Sequence, residues 1–180
     1  MTERTLTDAS TKAIQQCLDL ARSNGHAMAE PLHMASVLFD GATSIGSRVC
    51  TRAEGAPDIM NIRKALQSRI LKRPAQQPAP LEAAASNTLS QVLQQAKKLS
   101  KANDDALVAL DHILLALYSD REMNEVLSKE SGLSKKMVQK TVEELRGGRK
   151  VTSASAEETY EALEKYGIDL VQQAADGKID

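Results

Sequence analysis

The stretch IQQCLDLARSNGHAMAEPLHMASVLF, residues 14–39, recurs without a gap 79 positions later as LQQAKKLSKANDDALVALDHILLALY, residues 93–118. Gln15 falls on Gln94, Gln16 on Gln95, Leu20 on Leu99, Asn24 on Asn103, Ala27 on Ala106, His33 on His112 and Leu38 on Leu117. Apolar Ile14, Cys17, Met34 and Phe39 fall on Leu93, Ala96, Ile113 and Tyr118. Each copy carries apolar residues three and four apart, then a break, then a second such run, which is a helix–loop–helix pattern. Neither unit has enough surface to bury a good core alone. The repeat therefore predicts one all-α domain, an eight-helix bundle built of two four-helix repeats related by a pseudo-two-fold axis.

The flanking sequence completes each unit. Asn24-Gly25 ends the first helix, and Pro31 opens a second at a position where its missing N–H costs nothing. Ile45 and Val49 mark a third, stopped near Gly55, and Pro57 opens a fourth bearing Ile59, Ile62, Leu66 and Ile70. Residues 74–82 hold three of the five prolines and no apolar period. They read as an extended connector between repeats at about 1–73 and 83–148. Ser86 caps a fifth helix with Leu89, Val92, Leu93, Ala96 and Leu99 on one stripe. Residues 110–119 give a sixth, and Met123, Val126 and Leu127 a seventh, closed by Gly132. Ser134 caps the eighth, closed by Gly147-Gly148. Residues 149–156 are small and polar and read as a flexible linker. A last helical segment follows with Tyr160, Leu163, Tyr166 and Leu170. No stretch alternates as a strand would.

Composition narrows the function. Of 180 residues, 42% are apolar, enough for a real core, and 23 basic side chains balance 24 acidic ones. That balance argues against a nucleic-acid binder, and 2% aromatics leave almost no platform for stacking bases. No apolar run approaches the ~20 residues of a membrane span. The first residues, Met1 to Leu6, carry no signal core or transit character, so the expected location is the cytoplasm. Cys17, on an apolar helical stripe, reads as a small core hydrophobe.

Candidate chemistry is sparse. His33 and His112 occupy equivalent positions, and His26 is the third histidine. No metal-ligand spacing surrounds them, so local backbone bonding at helix starts is the expected role; a small hydrolase using His33 and His112 is the enzymatic alternative. Gly41 to Arg48 has the glycine spacing of a phosphate loop, but Ser47 stands where the lysine is needed. It reads as a turn. Lys135, Lys136, Lys140, Arg146, Arg149 and Lys150, mixed with Glu143 and Glu144, read as a solvated face serving a helix C-terminus. Leu110, beside Asp111 at a helix start, could line a partly open groove or join the core.

Glu30-Pro31-Leu32-His33 in one half, and Asp111-His112-Ile113-Leu114-Leu115-Ala116-Leu117 in the other, resemble the N-terminal domain of Clp/heat-shock AAA+ unfoldases. Gln76-Gln77-Pro78-Ala79-Pro80 and Glu144-Leu145-Arg146-Gly147-Gly148 are similar to the ClpB-type disaggregases, especially their eukaryotic cytosolic heat-shock members. Residues Leu163 to Leu170 and Ala174 to Asp180 resemble the lead-in to the first ATPase domain of that family. The resemblance implies that residues 157–180 begin a truncated AAA+ domain of a longer protein, and that residues 1–148 are a substrate-binding domain. It implies weak binding of exposed apolar segments of unfolded or aggregated polypeptide, which pass to a hexameric ring. Docking of an adaptor protein is the alternative. ATP and magnesium belong to the missing ATPase domains, with no cofactor in this piece. A seventy-kilodalton heat-shock chaperone is an implied partner; nucleic acid and membrane are not. The implied peptide-binding positions are Thr7, Leu89, Leu93, Leu110 and Asp111. Ala109 departs from the family pattern, standing where a capping Ser or Thr is common.

Overall fold

A computed structural model describes residues 4–158. Helices α1 (Asp8–Ser23), α2 (Pro31–Leu38), α3 (Ile45–Arg52) and α4 (Ile59–Lys72) form the first half. Helices α5 (Asn87–Ala102), α6 (Leu110–Ala116), α7 (Arg121–Asn124) and α8 (Lys135–Arg146) form the second. A 3-10 turn, Leu117–Ser119, extends α6, and a wide π turn, Glu125–Glu130, extends α7. The all-α bundle read from the repeat is the observed fold. No helix among the described residues is long and apolar enough to cross a membrane.

The offset of 79 holds in detail. Helix α5 begins and ends 79 residues after α1. Thr7 and Ser86 are their N-caps, each side-chain oxygen accepting a 3.1 Å bond from the backbone N–H three residues on. His33 Nδ1 accepts from the Glu30 N–H at 2.9 Å, and His112 Nδ1 from the Ala109 N–H at 2.8 Å. These are the local backbone bonds expected of helix-start histidines. The second ring nitrogen meets position 26 or its equivalent, 105. His33 Nε2 lies 2.9 Å from His26 Nδ1, and His112 Nε2 lies 2.7 Å from Asp105 Oδ2.

Two short parallel pairings join the halves, and sequence periodicity missed both. Strand β1 (Met28–Ala29) pairs with β2 (Ala84–Ala85), in register Met28 with Ala84 and Ala29 with Ala85. A single bridge joins Leu6 to Val108. The offset of 79 carries Ala29 onto Val108 and Leu6 onto Ala85, so one pairing is the symmetry copy of the other. The Ser86 N–H donates to Ala29 O at 2.8 Å, and the Thr7 N–H donates to Val108 O at 3.1 Å. Runs of one or two residues are too short to show alternation.

The core lies where α2 and α6 meet. Leu32, Met34 and Phe39 from the first half, and Ile113, Leu114 and Leu117 from the second, are fully buried together with Leu66, Leu89 and Leu127. Cys17 belongs to this core, and burial pushes its thiol up to about 12. Outside, Arg73 bonds both Glu30 and Glu122, and Arg69 bonds Glu122 and Glu130, tying the end of α4 to the α7 region. Gly41-x4-Gly46 is indeed a turn. A Cβ on Gly46 would sit 2.7 Å from Phe39 Cγ and 2.8 Å from Leu38 O. The second glycine thus lets α3 approach the end of α2.

Residues 149–158 run back along the bundle, although their composition reads as a free linker. Gly147 (φ 59°) and Gly148 (φ 82°) adopt the left-handed conformation that reverses the chain after α8. Val151 and Ala156 are then buried. Tyr160, Leu163, Tyr166 and Leu170 lie outside the described residues.

Gly46→Ala is expected to destabilise the fold by about 2 kcal/mol through overpacking, read from urea denaturation. A second expectation concerns pH. Burial, reinforced by the neighbouring charges of His26 and Arg73 and opposed by Glu30, holds His33 at about 4 against an ordinary 6.5. Above pH 6.5 the group costs nothing. Between pH 6.5 and 4 the unfolded chain takes up a proton that the folded one refuses, so stability falls by on the order of 3 kcal/mol. Urea midpoints across this window check the slope, which His33→Gln should flatten.

Candidate peptide-binding site

The starts of α1 and α6 lie side by side because the Leu6–Val108 bridge sits just ahead of both. The end of α8 closes a third side. Arg146, in its last turn, reaches two carboxylates: Asp105 Oδ1 and Oδ2 at 2.9 and 2.8 Å from Nη1, and Asp111 Oδ1 at 2.9 Å from Nη2. Arg146 Nε also bonds Asp111 Oδ2. Burial opposes the charge on Arg146, but Asp111 and Asp105 outweigh it and raise its pKa further. Burial likewise opposes ionisation of Asp105. The Arg146 bonds and the Val151 N–H nevertheless hold its carboxyl below the usual range. Paired and hydrogen-bonded in this way, the three charges are tolerated inside the fold.

The returning segment lies across this junction. The Val151 N–H donates to Asp105 Oδ1 at 2.9 Å, and Val151 O accepts from the Ala106 N–H at 2.8 Å. Ala154 O accepts from the Asp8 N–H, also at 2.8 Å. Glu157 Oε1 accepts from the Thr7 hydroxyl at 3.0 Å and from the Leu110 N–H at 2.9 Å. Burial pushes the Glu157 carboxyl up, and Asp111 adds to that, against the two bonds. Its other oxygen, Oε2, is buried with no hydrogen-bond partner among the described residues.

Two clefts flank the arginine. One, of 290 Å³, lies between Leu99, Asp111, Leu115, Val142, Arg146 and Arg149. The other, of 100 Å³, lies between Ile45, Leu110, Asp111, Leu145, Arg146 and Glu157. Both are concave, partly apolar and share the Asp111–Arg146 pair, a mixture suited to holding a peptide.

The family profile of the "Clp repeat (R) N-terminal domain" matches residues 5–130. The chain belongs to the Clp N-terminal domain family. It is similar to the chaperone protein ClpB of Porphyromonas gingivalis, 37% identical over 171 residues, which are 95% of this chain and 19% of that protein. It is also similar to heat shock protein 104 of Schizosaccharomyces pombe, 29% identical over 184 residues, 100% of this chain and 20% of that one. This Clp N-terminal domain thus spans about a fifth of the length of the curated relatives it matches. Among solved structures, the Hsp104 N-terminal domain of Candida albicans superposes with a TM-score of 0.75 at 29% identity, covering 85% of this chain and 99% of that one.

Within the Clp N-terminal domain, the expected site residues divide. Thr7, Leu110 and Asp111 come together, Thr7 and Leu110 through Glu157 and Asp111 through Arg146. Leu89 does not join them. It is fully buried in the main core, so the α5 stripe with Val92 and Ala96 is its place. Leu93 is half-buried on α5 against that core and lines neither cleft. Thr7 is buried as the α1 cap, its hydroxyl already engaged. The sequence reading missed Glu157, Val151 and the inward role of Arg146. The only signal was the Gly147-Gly148 pair, which marks a reversal without saying where the chain then goes.

Arg146→Met leaves the Asp105 and Asp111 carboxylates buried without a counter-charge. It is expected to cost about 3 kcal/mol or more at pH 7, whereas Lys136→Met, on the exposed side of the same helix, is expected to stay within about 0.5 kcal/mol. Urea denaturation of the two variants checks the contrast.

Proposed function

We propose that this domain is the client-recognition module of an ATP-dependent disaggregase or unfoldase, weakly holding exposed segments of unfolded or aggregated polypeptide. The observation that carries the reading is the junction of α1, α6 and α8. There a stretch of chain that turns at residues 153–155 and becomes helical from 156 is held by backbone bonds at Val151 and Ala154 and by small buried side chains. A surface that grips main chain and small apolar groups is tolerant of sequence, as a receptor for many unfolded clients must be. The Leu110 and Leu145 side chains beside Arg146 add apolar area that a client could cover. The P. gingivalis and S. pombe relatives, by name a chaperone and a heat shock protein, support the same reading. The rest of such a protein would be a cytoplasmic hexameric ring that binds ATP and magnesium, working with a seventy-kilodalton heat-shock chaperone.

Docking of a partner protein is the second reading. A solved complex of a ClpV N-domain with a VipB peptide shares this fold with a TM-score of 0.60 at 21% identity. A hydrolase built on His33 and His112 has no support: both rings are buried, and both nitrogens of each face partners within the fold.

Burying one exposed leucine gains ~1.5–3 kcal/mol. Two or three such contacts, less the ordering of a flexible peptide, leave a Kd of roughly 1–100 μM. Titration of the chain with a permanently unfolded, reduced and carboxymethylated protein is expected to saturate in that range and to weaken about tenfold or more in Leu110→Asp, since a charge replaces ~2 kcal/mol of apolar contact. Absence of saturable binding would favour the docking reading.

A further inference from the structure

The segment that fills the junction is itself informative. Its buried side chains, Val151 and Ala156, join only Ala109 and the half-buried Leu107 in a small cluster separate from the main core. Between them Thr152, Ser153 and Ser155 are exposed. Its other contacts include the main-chain bonds at Val151 and Ala154 and the Glu157 carboxylate. Lifting the segment away would leave the main core, the two inter-half pairings and the Arg146 ion pairs in place. It would free the N–H groups of Asp8, Ala106 and Leu110, while the Thr7 hydroxyl would keep Ser10 and the Asp105 carboxylate would keep Arg146. Those groups ask for one kind of occupant: a turn of main chain offering carbonyl oxygens, two small apolar side chains and a carboxylate that accepts hydrogen bonds.

Resting on the client-binding reading, we propose that residues 151–157 are an internal ligand of the peptide site. The site's external ligands are then segments able to take up the same turn, carrying a small aliphatic side chain and, six residues later, a carboxylate. Val151 and Glu157 define that spacing. Held one turn of chain from α8 by Gly147-Gly148, the segment competes at an effective concentration of roughly millimolar or more. Only clients that outbid it, or that arrive when it has been pulled away, are retained. Glu157 is the part held least well. One of its oxygens is buried with no partner among the described residues, and Asp111 repels it. This favours exchange over permanent closure.

The test uses the 180-residue chain and a fluorescein-labelled synthetic peptide of residues 150–158, followed by anisotropy. The wild type is expected to bind the peptide at least tenfold more weakly than Glu157→Lys or Val151→Asp, in which the internal segment is displaced. The same peptide with Gln at the Glu157 position is expected to bind the variants at least fivefold more weakly. Thermal unfolding by circular dichroism checks that each variant folds; should Val151→Asp fail, Glu157→Lys decides alone. Equal binding by wild type and a folded variant, or none by the variant, overturns the proposal. The unfolded carboxymethylated protein separates the two levels. If wild type and variant bind it equally, the internal-ligand proposal falls and the client reading stands. If neither binds it, the client reading falls as well.

Discussion

The structure depends on two backbone crossings, Ala29 to Ala85 and Leu6 to Val108. Each is only one or two residues long, yet each joins the lead-in of one repeat's first helix to the lead-in of the other repeat's second helix. This parallel pairing runs from one repeat to the other. It forces the halves together face to face and sets α2 and α6 at the centre, where nearly every side chain of both helices is buried. The capping threonine and serine, and the two helix-start histidines, then fall into matching places on either side of the axis.

Symmetry ends where chemistry differs. At position 26 the first half has a histidine against His33, whereas at 105 the second half has an aspartate against His112. The two histidine rings meet directly, 2.9 Å apart. A buried aspartate needs a cation, and Arg146 supplies it from α8 while also reaching Asp111. That ion-pair group lines the clefts beside α6 and gives the returning segment an oxygen that accepts from the Val151 N–H. The candidate site therefore lies where the two halves meet, and its ion pairs rest on an aspartate where the other half has a histidine.

The helices were legible in the sequence because each follows simple physics: a 3.6-residue apolar period, a capping hydroxyl at Ser86 or Ser134, a left-handed glycine at the end. The duplication was legible as well, through His33 and His112. The site was read only in part. Thr7, Leu110 and Asp111 converge, whereas Leu89 is sealed in the core on one stripe with Val92 and Ala96, as its helical spacing places it. Arg146 sits in a basic run that looks solvated; its carboxylate partners lie 35 and 41 residues away, beyond any local pattern. The segment 149–157 is held by main-chain bonds at Val151 and Ala154, by Arg149 and Lys150 on backbone carbonyls, by two small buried side chains and by Glu157, and its composition is the same as that of a free linker.

Scaffold and occupant are separable by native-state hydrogen exchange of the intact chain. The amides that cross between the halves, those of Thr7, Ala84, Ser86 and Val108, are bonded within the scaffold. Those of Asp8, Ala106, Leu110 and Val151 are bonded only through the returning segment or to it. The expected result is two classes, the first exchanging only through global unfolding and the second through a local opening of distinctly lower free energy. A single class, with all eight amides exchanging at the global free energy, would make the segment a permanent part of the core and contradict the account.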